Sequence, residues 1–220
     1  VTRFEMPEGV NDPHTMAWTS AGNIWFTVQR SGKAGFIGKL ATDTGEVQII
    51  EVPGNYMRPY GLVVDNQDRP WIAFMGSNAI GTIDPDSMQL EIISTPHEES
   101  IIRRIGLTSD NRVWWVDAGM GYLGVYNPQD KSMQQWQTPG GEAAGLYAMA
   151  VDSQDRIWYV ETGLQPNRFI GFDSKKEQFI AIDEVPSGGL TVRNMVFDDG
   201  TNALWFGTDA NTIGRAVVPD

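Results

Sequence analysis

Cysteine is absent from the 220 residues, which excludes disulfides, thiolate metal sites and cysteine nucleophiles. Long apolar runs are missing too: none approaches the ~18 residues that a membrane span needs. Basic residues are scarce. Sixteen Lys and Arg stand against 28 Asp and Glu, a net charge of −12. That balance argues against nucleic acid or an anionic membrane as partner, because neutralising phosphates takes clustered cations. Also absent are a GxxxxGK(S/T) phosphate loop, an HExxH helix and a GxSxG elbow, so the chemistries those motifs serve find no support. There is no low-complexity tract, and 41% hydrophobic with 20% charged residues is a globular composition. The chain begins at Val1 rather than Met, which fits removal of a leader. The compartment is therefore left between cytoplasm and, with a leader removed, periplasm or exterior.

What is present is one pattern repeated. Asp152–Gly171, DSQDRIWYVETGLQPNRFIG, holds a turn, a Trp-centred strand ending in a carboxylate, a loop, and a strand with an Ile-Gly step. The same Trp recurs as Trp25, Trp71, Trp114, Trp158 and Trp205, at intervals of 46, 43, 44 and 47 residues. The apolar-Gly step recurs at Ile37-Gly38, Ile80-Gly81, Leu123-Gly124, Ile170-Gly171 and Ile213-Gly214, and a proline closes each unit at Pro7, Pro53, Pro96, Pro139 and Pro186. Periods in the low forties with strand-like content read as propeller blades. The expected fold is all-β: one domain over 1–220, a β-propeller of five four-stranded antiparallel blades starting near 14, 60, 103, 147 and 193. Residues 1–7, VTRFEMP, lack partner strands before them, and the last repeat lacks an outer strand. The N-terminal strand is expected to complete the last blade and close the ring, removing a free sheet edge. Only 98–106 hints at a helical turn. Asp65, Asp152 and Asp198 share a turn entry and read as turn caps.

Antiparallel pairing places the start of each inner strand and the end of the Trp strand at one face. Eleven residues before each Trp lie His14, Tyr60, Arg103 and Tyr147, with Arg193 in register after one gap. Three residues after it lie Val28, Phe74, Asp117, Glu161 and Thr208. A convergent polar set at a channel mouth is where chemistry is sought first. The plain alternatives are structural: Glu161 and Asp117 in ion pairs with Arg103 or Arg193, His14 as a satisfied structural residue, His97 on the surface, and the repeat Trp residues as core. Trp18 and Trp136 fall outside the repeat position and receive no role.

Asp12-Pro13-His14, Ile24–Thr27, Ile37–Lys39, Thr44–Val47, Arg58–Gly61, Trp158–Gly163 and Thr212–Arg215 resemble the streptogramin B lyase family, also called virginiamycin B lyase, over essentially the whole chain. The resemblance implies a bacterial protein and a seven-bladed propeller, of which the five repeats here look like the last five. It implies opening of a cyclic depsipeptide at its ester by elimination, with Mg2+ held by carboxylates and a histidine as base. On that pattern His14 is the base and Asp12 and Glu161 are metal ligands. Two features depart from it. Val28 stands where the family's active-site blade carries a Glu, and Tyr60, Arg103, Tyr147 and Arg193 stand where a second His is sought.

Two functions follow as expectations. In the first, the chain is a metal-assisted lyase acting on a cyclic peptide or lactone-like ester. His14 and Glu161 are catalytic, and Tyr147 and Arg193 orient the substrate or stabilise an enolate-like oxygen. Tyr60, Arg103, Asp117 and Trp115 contact the substrate. In the second, the same mouth holds an anionic or aromatic ligand without turnover, as a binding or scaffold propeller.

Overall fold

Runs of five to eight residues rich in Val, Ile, Trp and Phe, broken by Gly, Pro, Asn and Asp, become strands because branched and aromatic side chains fit a pleated, enclosed surface. The computed structural model describes residues 1–32, 34–54 and 57–219, with all their side chains except those of Arg30 and Ser31. The first repeat forms β1 (Pro13–Trp18), β2 (Ile24–Ser31), β3 (Ala34–Leu40) and β4 (Val47–Val52). The second forms β5 (Pro59–Val64), β6 (Pro70–Phe74), β7 (Ala79–Ile83) and β8 (Leu90–Ser94). The third forms β9 (Ile102–Leu107), β10 (Val113–Asp117), β11 (Tyr122–Asn127) and β12 (Ser132–Gln137). The fourth forms β13 (Leu146–Val151), β14 (Arg156–Glu161), β15 (Arg168–Asp173) and β16 (Gln178–Glu184). The last forms β17 (Val192–Asp198), β18 (Ala203–Thr208) and β19 (Thr212–Val217). These are five antiparallel sheets in sequential order, four of four strands and one of three among the described residues. The helical turn expected within 98–106 is instead largely strand β9; a 3-10 turn lies at Gly141–Ala144.

The chain divides into two compact units, Val1–Ile105 and Gly106–Asp220. In the first, Trp25, Ile37, Leu62, Ile72 and Phe74 form the core between its sheets. In the second, Trp114, Tyr159, Ile170, Phe172 and Leu204 belong to one larger cluster. Trp136, unassigned from sequence, lies 5.7 Å from Trp114 and 4.8 Å from Phe172, ring to ring.

The apolar-Gly step has a steric cause. An aromatic ring of the second strand lies across the glycine of the third. A Cβ at Gly38 would stand 2.1 Å from the Phe26 ring, one at Gly124 2.2 Å from Trp115, and one at Gly214 2.1 Å from Phe206. No side chain fits there without displacing the ring. The turn aspartates cap as expected and do more. Asp65 Oδ1 accepts from the Gln67 and Arg69 amides, and its Oδ2 from Arg69 Nε and Trp71 Nε1. Asp152 repeats the arrangement with Gln154, Arg156 and Trp158. One carboxylate thus fixes the turn and the repeat Trp together. Within each unit a second clip recurs: Ser20 donates its amide and hydroxyl to Asp68, and Ser109 does the same to Asp155, all at 2.7 Å.

Residues 1–7 differ from expectation. They form no strand, and Phe4 and Met6 pack against Val10, Phe26, Val28 and Leu40 of the first unit. The apolar side chains of VTRFEMP find a sheet face here rather than a sheet edge.

Candidate functional site

Four of the five inner strands start irregularly. The register of β1 against β2 shifts between Pro13 and Met16, that of β5 against β6 between Pro59 and Leu62, that of β13 against β14 between Leu146 and Met149, and that of β17 against β18 between Val192 and Met195. His14, Tyr60, Tyr147 and Arg193 each lie inside such a bulge. A bulge carries an extra residue and re-aims its side chain, and bulges concentrate beside functional sites. Four of the five residues singled out by repeat register are therefore ones whose backbone departs from the ladder.

In the first unit the structure brings His14 and Tyr60 together, their ring centroids 4.3 Å apart. On Tyr60 also stacks Arg104, its guanidinium carbon 5.3 Å from the ring. Thr27 ties the two bulges. Its buried hydroxyl accepts from the Thr15 amide at 3.2 Å and donates to the Tyr60 carbonyl at 3.0 Å. His14 Nδ1 meets Thr15 Oγ1 at 2.8 Å. In the tautomer that donates Nδ1–H to that oxygen, Nε2 carries the lone pair, and no described residue hydrogen-bonds to it. Burial and the nearby Arg104 cation lower the His14 pKa, against a smaller opposing pull from Asp12. The imidazole is thus neutral at pH 7, the form a general base requires. Asp12 is exposed and sits in the left-handed region at φ 68°. Arg103 is half-buried, and Val28 is fully buried in the first unit's core.

In the second unit the carboxylates are engaged. Glu161 has no exposed surface. Its Oε1 accepts from Thr138 Oγ1 at 2.6 Å and from the Gly140 amide at 2.8 Å, while Oε2 takes Arg168 Nε at 2.8 Å and Nη2 at 2.5 Å. The partner is Arg168 and not the Arg103 or Arg193 considered from sequence. Tyr159 OH lies 2.8 Å from Thr138 Oγ1, and burial first, then the Glu161 charge, push its pKa up. Asp117, also buried, caps its turn by accepting from the Gly119 and Met120 amides. Trp115 is fully enclosed, its ring over Gly124. Arg193 lies 6.0 Å from the Tyr147 ring and pairs with Asp209 at 2.7 Å. Hydrogen bonds from Arg193 hold the Asp209 carboxyl below its usual range.

Five partners escaped sequence reading: Arg104, Thr15, Thr27, Arg168 and Asp209. Arg168 had a signal, since it stands directly opposite Glu161 in the β14–β15 hairpin. Arg104 had none, because its neighbour Arg103 occupied the repeat register.

The Mg2+ implied by the resemblance does not fit these residues. Both Glu161 oxygens are filled by donors, one of them a guanidinium. Asp12 shares its neighbourhood with Arg104 and a single imidazole. Among the described residues no three His, Asp or Glu side chains are grouped to hold a metal ion, whereas a hard cation needs several oxygen ligands.

Known proteins share this fold. No curated protein sequence matches the chain. A catalytically inactive histidine-to-alanine virginiamycin B lyase from Staphylococcus aureus, solved with quinupristin, superposes with a TM-score of 0.79 at 20% identity, over 97% of this chain and 72% of that one. A streptogramin B lyase structure gives 0.70 at 16% identity, over 99% and 86%. A putative 6-phosphogluconolactonase from Bacteroides uniformis gives 0.71 at 13%, over 93% and 66%. At these identities the likeness is one of fold, and it puts the five sheets in the propeller-like class. No helix among the described residues is long and apolar enough to cross a membrane. The family model for virginiamycin B lyase matches residues 1–218, and the chain belongs to that family.

Proposed function

We propose that this chain opens a cyclic depsipeptide or lactone-like ester by elimination, with His14 as the base. The observation that carries the reading is the His14 imidazole: kept neutral by burial and Arg104, stacked on Tyr60, and anchored through Nδ1 so that Nε2 is open. Nε2 takes the proton from the carbon next to a carbonyl. The electron pair forms a carbon–carbon double bond, the ester C–O bond breaks, and the ring oxygen leaves as a carboxylate. Atoms balance without water, so the product has the mass of the substrate. Charge grows first on the enolate-like oxygen and then on the carboxylate, and Arg104 beside the base suits either. Tyr60 supplies an aromatic face and Arg103 a second cation for the substrate. The proposed step uses no cation, because the described residues are not grouped to hold one.

A second reading is a propeller that binds its ligand without turnover. Its support is Glu161, whose oxygens are closed by Arg168, Thr138 and Gly140, together with Val28 where the lyase pattern has a Glu. Mass spectrometry of a streptogramin B compound, with and without Mg2+, separates the two. A linear, dehydrated product of unchanged mass, lost in His14→Ala, supports the lyase. A folded protein that retains the compound intact leaves the binding propeller.

A further inference from the structure

The repeat Trp has a carboxylate and an arginine at its turn in the second, third and fourth repeats, and has neither in the first. In the second and fourth, Asp65 and Asp152 accept from the Trp Nε1 and from the arginine four residues on. The third divides the task. Thr108 accepts from Trp114 Nε1 at 3.2 Å and donates to Asp110 at 2.6 Å, and Asp110 also takes the Arg112 amide and Nε. In all three the guanidinium lies over the ring, 5.5–5.8 Å from its centre. At the corresponding positions the first repeat has Thr19, Ala21 and Asn23. Trp25 is fully enclosed, and its Nε1 finds no hydrogen-bond partner among the described residues. Such orphaned buried donors are rare, because a desolvated N–H is costly. Beside it lies a cavity of about 560 Å3 within the first unit, lined by Thr19, Ala21, Asn23 and Trp25 from one repeat and by Asp68 and Asp86 from the next. Lys39, also on its wall, holds its ammonium 5.4 Å from the Trp25 ring centre and donates to the Pro85 carbonyl at 3.3 Å.

We infer that this cavity binds a free α-amino acid, its carboxylate in the place that Asp110 fills in the third repeat and its ammonium toward Asp68 and Asp86. The third repeat supplies the template. A carboxylate over Ala21 accepts from the Thr19 hydroxyl and the Asn23 amide, and the Lys39 ammonium serves in place of the arginine. With its proton so directed, Thr19 Oγ1 accepts from Trp25 Nε1, as Thr108 does from Trp114. Charge-assisted bonds of this kind are the strong ones. The acids opposite decide the rest of the ligand. Hydrogen bonds from Ser20 and, less, the Lys39 charge hold the Asp68 carboxyl below its usual range, so it is ionised. A bare anion would meet that charge and the charge of Asp86 unrelieved, whereas a ligand with a positive group next to its negative one satisfies both walls.

The experiment titrates the whole chain, isotope-labelled on its tryptophan indoles, with L-alanine, with propionate and with ethylamine. The last two are the same molecule without its ammonium and without its carboxylate. Each of the eight indoles gives one N–H signal in the nuclear magnetic resonance spectrum, and Trp25→Phe identifies that of Trp25. L-Alanine is expected to shift the Trp25 signal and slow its exchange with solvent. Propionate and ethylamine bind more weakly by about tenfold or more, the scale of one lost hydrogen bond to a charged group. Lys39→Gln weakens L-alanine by a similar factor. Ala21→Asp gives the first repeat the carboxylate that the third has, so it abolishes L-alanine binding and raises the melting temperature. A Trp25 signal indifferent to all three compounds overturns the inference. Equal binding of propionate and L-alanine, or undiminished binding in a folded Ala21→Asp, overturns it as well.

Discussion

The two ends of one repeat position behave oppositely in the two units. In the first, the inner-strand start gives an open imidazole, stacked on Tyr60 and kept neutral. In the second, the end of the Trp strand gives Glu161, buried and met by four donors. Both residues were expected in chemistry from the same repeat frame. The difference lies in what stands opposite. Glu161 faces Arg168 across a hairpin, so the nearest strand neutralises it. His14 lies in a bulge, where no residue of the adjoining strand is directly opposite. A polar group on the regular ladder is answered by the ladder, whereas one on a bulge is left for something else.

Removing each residue in turn and reading both activity and stability tests this difference most directly. His14→Ala is expected to lower turnover of the cyclic ester about 10³-fold, the scale of a lost general base, with a melting temperature near that of the parent. Glu161→Gln is expected to do the reverse. It leaves Arg168 without its counter-charge, at a cost of roughly 3 kcal/mol in denaturant unfolding, somewhat reduced by the quarter of the Arg168 side chain left to solvent. The companion change Arg168→Gln should recover part of that loss, because it removes the stranded cation. If Glu161→Gln instead abolished turnover with stability intact, the carboxylate would belong to the chemistry and the contrast would fail.

A smaller effect tests what holds the open end in place. Thr27→Val keeps the shape and deletes the hydroxyl that joins the Thr15 amide to the Tyr60 carbonyl. It should cost about 1–2 kcal/mol of stability, since two buried groups lose a partner. If Thr27 positions the stack, substrate affinity should weaken along with turnover. A stability loss with unchanged kinetics would make it merely structural.

Much of this was legible beforehand, and the limits have physical reasons. The repeat Trp, the apolar-Gly step and the turn aspartates follow from local sterics and local hydrogen bonds, so spacing revealed them. The glycine is forced by a ring on the preceding strand, across a turn in sequence but directly adjacent in the sheet. The site was harder. Register found His14, Tyr60, Tyr147 and Arg193 but not Arg104, because the side chain that stacks on Tyr60 lies one residue out of the repeat. Trp115 was sought as a ligand platform, and its ring turns inward over Gly124. Single-residue alternation in a strand decides which face a side chain takes, and a repeat count good to one or two residues does not resolve it. The segment 1–7 carries a strand-like pattern, but Phe4 and Met6 can satisfy it on a face or at an edge, and the pattern alone does not distinguish the two.

The smallest effect is the most specific to the open end. A base that must be neutral gives a rate that falls as pH falls through its pKa. His14 is shifted down from 6.5, so the acid limb of kcat/KM should have its midpoint below 6.5. Burial is the larger cause and the Arg104 charge the next. Replacing that charge, as in Arg104→Gln, should move the midpoint up while leaving it short of 6.5. Asp12→Asn, which removes the opposing pull, should move it down. Stability follows the same sign. The unfolded chain protonates its imidazole first as pH falls below 6.5, so the contribution of the neutral His14 is present above 6.5 and is lost as pH drops toward the folded pKa. Raising ionic strength should shrink the Arg104 and Asp12 shifts and leave the burial part, because salt screens charges at this exposed position but not desolvation. An acid limb at or above 6.5, indifferent to both substitutions, would remove His14 as the titrating base and with it the distinction between the open and the sealed end.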